Sequence, residues 1–134
     1  MKYITFTDGG ARGNPGPAAI GGVVIEKNSN KKISFHQYIG NTTNNQAEYK
    51  ALIHAMKTAI ECGASEIECF LDSELIVKQL NREYRVKDKD LGQLFLAVWN
   101  LSARLKKISF HHIRREKNKE ADALVNYALD ERKY

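Results

Sequence analysis

Residues 45–72, NQAEYKALIHAMKTAIECGASEIECFLD, decide the fold. Ala47, Ala51, Ala55 and Ala59 recur at helical spacing with Leu52 and Met56 beside them, so Asn45–Cys62 reads as a helix stopped by Gly63. Glu66–Leu71 then alternates as a short strand, and Asp72 follows it. A helix lying between strands demands a crossover, and crossovers join parallel neighbours. Upstream, residues 2–8 alternate as a strand that stops at Gly9-Gly10. Gly9–Pro17, with four glycines and both prolines of the chain, reads as a turn. Residues 18–26 and 32–39 read as two further strands, joined through Asn28-Ser29-Asn30, and such short connections imply an antiparallel meander. Downstream come a short helix over 73–81, a longer one over 88–107, a last strand over 108–113 and a final helix over 118–132. The expected fold class is α/β: a five-stranded mixed sheet, three antiparallel strands then two parallel ones, flanked by helices in a single domain over 1–134.

Composition narrows the function classes. With 134 residues, 43% of them hydrophobic, the chain has enough apolar surface for one core and too much for wholesale disorder. No apolar run approaches the roughly 20 residues of a membrane span, and Asp8 and Arg12 interrupt any leader-like stretch at the start. Cys62 and Cys69 form neither a disulfide framework nor a paired metal motif. These features suggest a soluble, cytoplasmic, monomeric protein with both thiols buried and reduced. The net charge of +5 is unevenly placed. Residues 104–119 hold seven basic side chains (Arg104, Lys106, Lys107, Arg114, Arg115, Lys117, Lys119) against Glu116, so that stretch carries +6 and the remaining 118 residues sum to −1. A basic stretch on a neutral body suggests a polyanionic partner, and equally a solvated helix end with its loop.

Four acids stand where the pattern favours something else. Asp8 follows Ile4 and Phe6 on one face of the first strand, Glu48 sits on or beside the alanine stripe, Asp72 ends the fourth strand, and Asp122 shares a helix face with Val125 and Leu129. Each has an ordinary explanation. Asp8-Gly9 suits a turn. Asn45-Gln46-Ala47-Glu48 matches a capping box with Glu48 as its acid. Asp72 suits a helix cap, and Asp122 an ion pair with Arg115. Their joint placement argues otherwise, because open α/β sheets bind ligands beyond the carboxyl ends of their strands. Carboxylates converging there repel unless cations hold them, and oxygen-only ligands select hard cations such as Mg²⁺ or Mn²⁺. Two such ions in a carboxylate cluster suit in-line displacement at phosphorus.

Four segments occur in order along the chain: Thr7-Asp8-Gly9-Gly10-Ala11-Arg12-Gly13-Asn14-Pro15-Gly16-Pro17, Thr42-Thr43-Asn44-Asn45-Gln46-Ala47-Glu48, Leu71-Asp72-Ser73 and Asn118-Lys119-Glu120-Ala121-Asp122. In this arrangement the sequence resembles the type 1 ribonuclease H family over essentially its whole length. The resemblance implies the ribonuclease H-like fold and hydrolysis of the RNA strand of RNA–DNA hybrids to 5′-phosphate and 3′-hydroxyl ends. It also implies two Mg²⁺ or Mn²⁺ ions held by the catalytic residues Asp8, Glu48, Asp72 and Asp122. One ion would activate water and the other would stabilise the leaving oxygen. Substrate contacts are implied at Gly9, Gly10, Ala11, Arg12, Gly13 and Asn14, which would read RNA 2′-hydroxyls. Others are implied at Asn44, Asn45 and Gln46, with Thr43 near a DNA phosphate.

Two departures from the family pattern are visible. The loop in which many members place a histidine reads Arg114-Arg115-Glu116-Lys117, which leaves Arg115, Glu116 and Lys117 as accessory candidates. His111 and His112 precede it in a strand, where alternation turns one inward. The segment Asn81–Leu91 lacks the basic, tryptophan-bearing helical handle of many bacterial members and offers only Arg82, Arg85, Lys87 and Lys89. The chain thus looks like handle-less members, for which modest, salt-sensitive affinity is expected. Trp99 and Tyr127 read as packed residues. Rival readings are a broader duplex nuclease that also cuts double-stranded RNA, a non-catalytic hybrid- or RNA-binding module, and a plain structural domain.

Overall fold

The computed structural model describes residues 1–132. Lys133 and Tyr134, which close the polar C-terminal run, lie outside the described residues. Three long strands, β1 (Lys2–Ala11), β2 (Gly16–Glu26) and β3 (Lys32–Thr42), precede α1 (Asn44–Glu61) and β4 (Glu66–Leu71). Then come α2 (Glu74–Leu80), α3 (Lys89–Ser102), β5 (Lys107–His112), a 3₁₀ turn over Arg115–Lys117 and α4 (Lys119–Glu131). The sheet order is β3-β2-β1-β4-β5. The first three strands pair antiparallel, while β4 pairs parallel with both β1 and β5. Among the described residues no helix is long and apolar enough to cross a membrane.

The alanine stripe explains how α1 docks. Ala47, Ala51, Ala55 and Ala59 are wholly buried, and small side chains let the helix lie close to the sheet while Leu52 and Met56 fill the space beside it. Full burial of each of those larger side chains is worth about 1.5–3 kcal/mol. On β1 the residues Tyr3, Thr5 and Thr7 are buried, whereas Ile4, Phe6 and Asp8 on the other face are half-buried. The two faces take different helices. A Cβ on Gly9 would overlap the backbone of Ala47 and Glu48, so α1 covers that face. Gly21, paired with Asp8 across the ladder, has Leu124 and Val125 of α4 where its Cβ would be. Asp8 therefore faces the α4 side of the sheet.

Several local expectations are corrected. β1 does not stop at Gly9-Gly10; it runs on to Ala11, paired with Ala18 of β2. Gly9 serves the close approach of α1, and the turn proper is confined to residues 12–15, with a cis Asn14–Pro15 peptide. The cap of α1 is Thr43, whose hydroxyl accepts the Gln46 N–H, so Asn45 and Glu48 do not form the capping box. Ser73, and not Asp72, caps α2. Helix α3 ends at Ser102, short of residue 107. The Lys106 N–H is drawn to the Ser65 carbonyl at 2.8 Å to begin β5.

Side-chain burial also differs in two places. Cys62, at the end of α1 beyond its apolar stripe, is exposed, and only Cys69 is buried. Tyr127 is 52% exposed and meets His36 of β3 edge-on, flanking the α4 face that buries Val125 and Leu129. Trp99 packs as expected. Its ring meets Phe110 edge-on at 5.7 Å, and the Arg82 guanidinium lies 4.7 Å from its centroid, covering the face that a base would need.

Candidate active site

The carboxyl ends of β1 and β4 lie side by side, with Thr7 paired to Leu71, so Asp8 and Asp72 follow as neighbours. From the opposite face, Glu48 in the second turn of α1 reaches the same point, only 5% exposed. Asp8, Glu48 and Asp72 each offer a carboxylate oxygen, all three within 4.8 Å of one another. Asp122, in the first turn of α4, lines the same cleft beside Asp8 but stands outside this tight trio. No Arg115–Asp122 ion pair is present among the described residues. Asp122 instead faces the Asn126 amide at 3.5 Å.

The electrostatics show what this arrangement costs. Burial pushes the Glu48 carboxyl well above the usual range, and neighbouring Asp8 and Asp72 add to the shift. Burial likewise raises Asp8 to about 6, with the charges of Asp72 and Asp122 adding, while its hydrogen bond with Glu48 acts in the other direction. Glu48 Oε1 accepts the Gly9 backbone N–H, but buried Oε2 receives no N–H or hydroxyl donor and has only carboxyl neighbours. A buried, unpartnered carboxylate oxygen is unfavourable alone and is relieved by a cation. The donor set is oxygen only, which suits Mg²⁺ or Mn²⁺ over zinc. The residues present fit a divalent metal centre.

The cleft around this cluster has a volume of about 510 Å³ and is lined also by Gly9, Gly10, Ala11, Arg12, Asn44, Asn45 and Arg115. Its glycine-rich wall is tied on both sides. Asn44 Oδ1 accepts the Ala11 N–H at 2.7 Å, and the Asn44 N–H is accepted by Asn14 Oδ1 at 3.0 Å. Arg12 pairs with Asp130 of α4 at 2.7 Å. Two N–H groups expected to meet ribose are thereby engaged within the protein, Ala11 by Asn44 and Arg12 by the Pro17 carbonyl. Gly13, Asn14, Thr43 and Gln46 do not line the cleft; Gln46 Oε1 instead accepts from the Thr42 hydroxyl. Of the accessory candidates only Arg115 reaches it, while Glu116 and Lys117 stay exposed outside. His111 is half-buried against Phe70 and His112 is exposed, and neither lines the cleft.

Sequence patterns alone assign no role to Asn118, Ser73 or Asn126, although Ser73 and Asn126 line the cleft and Asn118 contacts Asp72. The basic stretch also divides in space. Lys107 pairs with Glu66 at the amino end of β4, whereas His112 pairs with Leu71 at its carboxyl end. β5 thus separates Arg104, Lys106 and Lys107 from Arg114, Arg115 and Lys117 by roughly 17 Å, and only the second group lies at the acidic end.

Comparison with known proteins agrees with this architecture. The family described as "Reverse transcriptase-like" matches residues 6–128. Ribonuclease HI of Halobacterium salinarum is 40% identical over 130 residues, 97% of this chain and 65% of that protein. The bifunctional protein Rv2228c of Mycobacterium tuberculosis is 39% identical over 131 residues, again 97% of this chain but 36% of its own length. The chain therefore spans about a third of the first curated relatives it matches. LC11-RNase H1, isolated from compost and solved with an RNA/DNA hybrid, superposes with a TM-score of 0.91 at 44% identity, covering 97% of this chain and 98% of that one. Sheet order and acidic cluster together define an α/β protein of ribonuclease H-like architecture. Within that class, the chain belongs to the ribonuclease H family.

Proposed function

We propose that the chain is a divalent-metal-dependent endoribonuclease that hydrolyses the RNA strand of RNA–DNA hybrids, leaving 5′-phosphate and 3′-hydroxyl ends. One observation carries this reading: three carboxylates from two sheet strands and a helix converge within 4.8 Å, with a buried Glu48 oxygen left unpartnered. Asp8, Glu48 and Asp72 would hold Mg²⁺ or Mn²⁺, with Asp122 completing the set from α4. When bound, a pair of such ions supplies activation of water and neutralisation of charge on the leaving oxygen. The protein's own residues hold and select the substrate. Asn44 and Asn45 present amides at the mouth of the cleft, at the amino end of α1, where N–H groups favour phosphate. Gly10 lets the strand approach without a side chain. Arg115, which lines the cleft, would meet a backbone phosphate. The similarity to a relative solved with an RNA/DNA hybrid supports the substrate assignment.

The deciding experiment compares labelled RNA–DNA, RNA–RNA and DNA–DNA duplexes in Mg²⁺ and in Mn²⁺. Cleavage of the hybrid's RNA strand alone is expected. Binding without cleavage at every metal concentration would leave a hybrid-binding module, and efficient cutting of RNA–RNA would establish the broader duplex nuclease.

A second measurement addresses the basic loop. Arg114 and Lys117 are exposed at the acidic end of the sheet without being part of the cleft. Replacing both with alanine is expected to raise KM with little change in kcat. The logarithmic salt dependence of binding should flatten by about one unit for each phosphate that the variant no longer neutralises. An unchanged slope would return the pair to ordinary solvated surface.

A further inference from the structure

Asn118 occupies the N-cap position of α4, and asparagine is among the residue types best suited to cap, an interaction worth about 1 kcal/mol. Its side chain makes no capping bond. It is instead turned into the protein, 2% exposed, where its amide nitrogen donates to the Thr7 carbonyl at 2.8 Å and to Asp72 Oδ2 at 3.0 Å. A carbonyl and a carboxylate oxygen both accept, so the amide orientation is fixed by chemistry and both its N–H bonds are spent. Its own Oδ1 is buried without a donor. Forgoing a cap and burying an unpaired carbonyl both oppose stability, and a local rule broken in a well-packed chain marks a functional constraint.

The placement shows what that constraint is. Thr7 immediately precedes Asp8, so the bridge runs from the β1 residue beside one carboxylate to the carboxylate of Asp72. The backbone of Asn118 continues it, since its carbonyl accepts the Asp122 N–H at 3.1 Å. One residue thus joins the β1–β4 seam to the helix turn that carries Asp122. A neutral donor suits the position, because it orients Asp72 without adding charge to a crowded acidic cluster. We propose that Asn118 is a positioning residue that holds Asp72 against Asp8 and Glu48 and so sets the affinity of the cluster for a divalent cation. This rests on the metal-dependent reading above.

The test uses Asn118→Ala and Asn118→Ser. Serine is a good N-cap and preserves the start of α4, yet it is too short to bridge Thr7 and Asp72. Mn²⁺ binding to wild type and variants is measured by calorimetry, with helical content followed by circular dichroism. The Mg²⁺ concentration for half-maximal hybrid cleavage is measured alongside. Both variants are expected to keep their helical signal and to bind Mn²⁺ about 10–100-fold more weakly, with cleavage recovering at high Mg²⁺ and KM for the hybrid unchanged. A serine variant that binds Mn²⁺ like wild type would overturn the proposal, as would failure of both variants to fold, which would make Asn118 a folding residue. Wild-type protein that binds no Mn²⁺ would instead defeat the metal-dependent reading itself.

Discussion

Asp8→Asn is expected to abolish hybrid cleavage, by at least ~10³-fold or about 4 kcal/mol of transition-state stabilisation, while making the metal-free protein more stable. The two effects share one cause. Asp8 is held among Glu48, Asp72 and Asp122, and burial together with those charges raises it from an ordinary 3.8 to about 6. An acid whose folded pKa is raised binds its proton more tightly in the native state. The stability this contributes is fully present below about pH 4 and is lost as pH rises through about 6. Above that, ionised Asp8 opposes folding, and asparagine removes that cost. Thermal melts in EDTA at pH 8 should therefore show the variant melting higher than wild type, with the gap closing as the pH is lowered below about 4. Added Mg²⁺ should raise the wild-type melting temperature and leave the variant nearly unmoved. A variant that cleaves like wild type would remove Asp8 from the site. One that melts lower in EDTA would mean that Asp8 supports the fold and not the metal.

Gly9→Ala is expected to have the next largest effect, through the backbone alone. A methyl group there would overlap the main chain of Ala47 and Glu48, and neither can move without shifting α1 off the sheet. The same step would break the Gly9 N–H bond that orients Glu48 Oε1. Overpacking against main chain costs about 3 kcal/mol or more, roughly a 10 °C loss in Tm, and cleavage should fall with it even at high Mg²⁺. Gly92 is the control. Nothing lies within 4 Å of a Cβ at that position in α3, so Gly92→Ala should stabilise by up to about 1 kcal/mol. Equal melting temperatures for the two variants would show that α1 does not press on Gly9.

What is legible in the sequence follows from how local each cause is. The α1 stripe and the Glu66–Leu71 strand carry their periodicity within themselves, and both appear where that periodicity places them. The crossover between strands then dictates parallel pairing, which brings the ends of β1 and β4 together. Gly9 misleads because the usual reason for a glycine pair is a turn, whereas here its reason is the helix backbone at Ala47, 38 residues further on. Thr42-Thr43-Asn44-Asn45 offers four cap-type residues in a row. Local rules cannot choose among them, and the choice falls to Thr43 because the Ala11 N–H takes the Asn44 side chain. The end of α3 is likewise set from outside by the Ser65 carbonyl. Asn118 reads as a helix start from its position alone, and only its burial reveals its other partners. The +6 stretch is continuous in sequence, but an intervening strand places its two halves at opposite ends of the sheet.

The attachment of α4 has a consequence for the order of events in synthesis. Asp122 and the Asn118 bridge both belong to the segment that follows every strand in the chain, while Asp8 lies near its beginning. A chain still emerging from the ribosome can pair β1 with β4 and dock α1, yet it lacks the helix that completes the cluster. The four-carboxylate cluster is thus complete only once α4 has closed on the sheet.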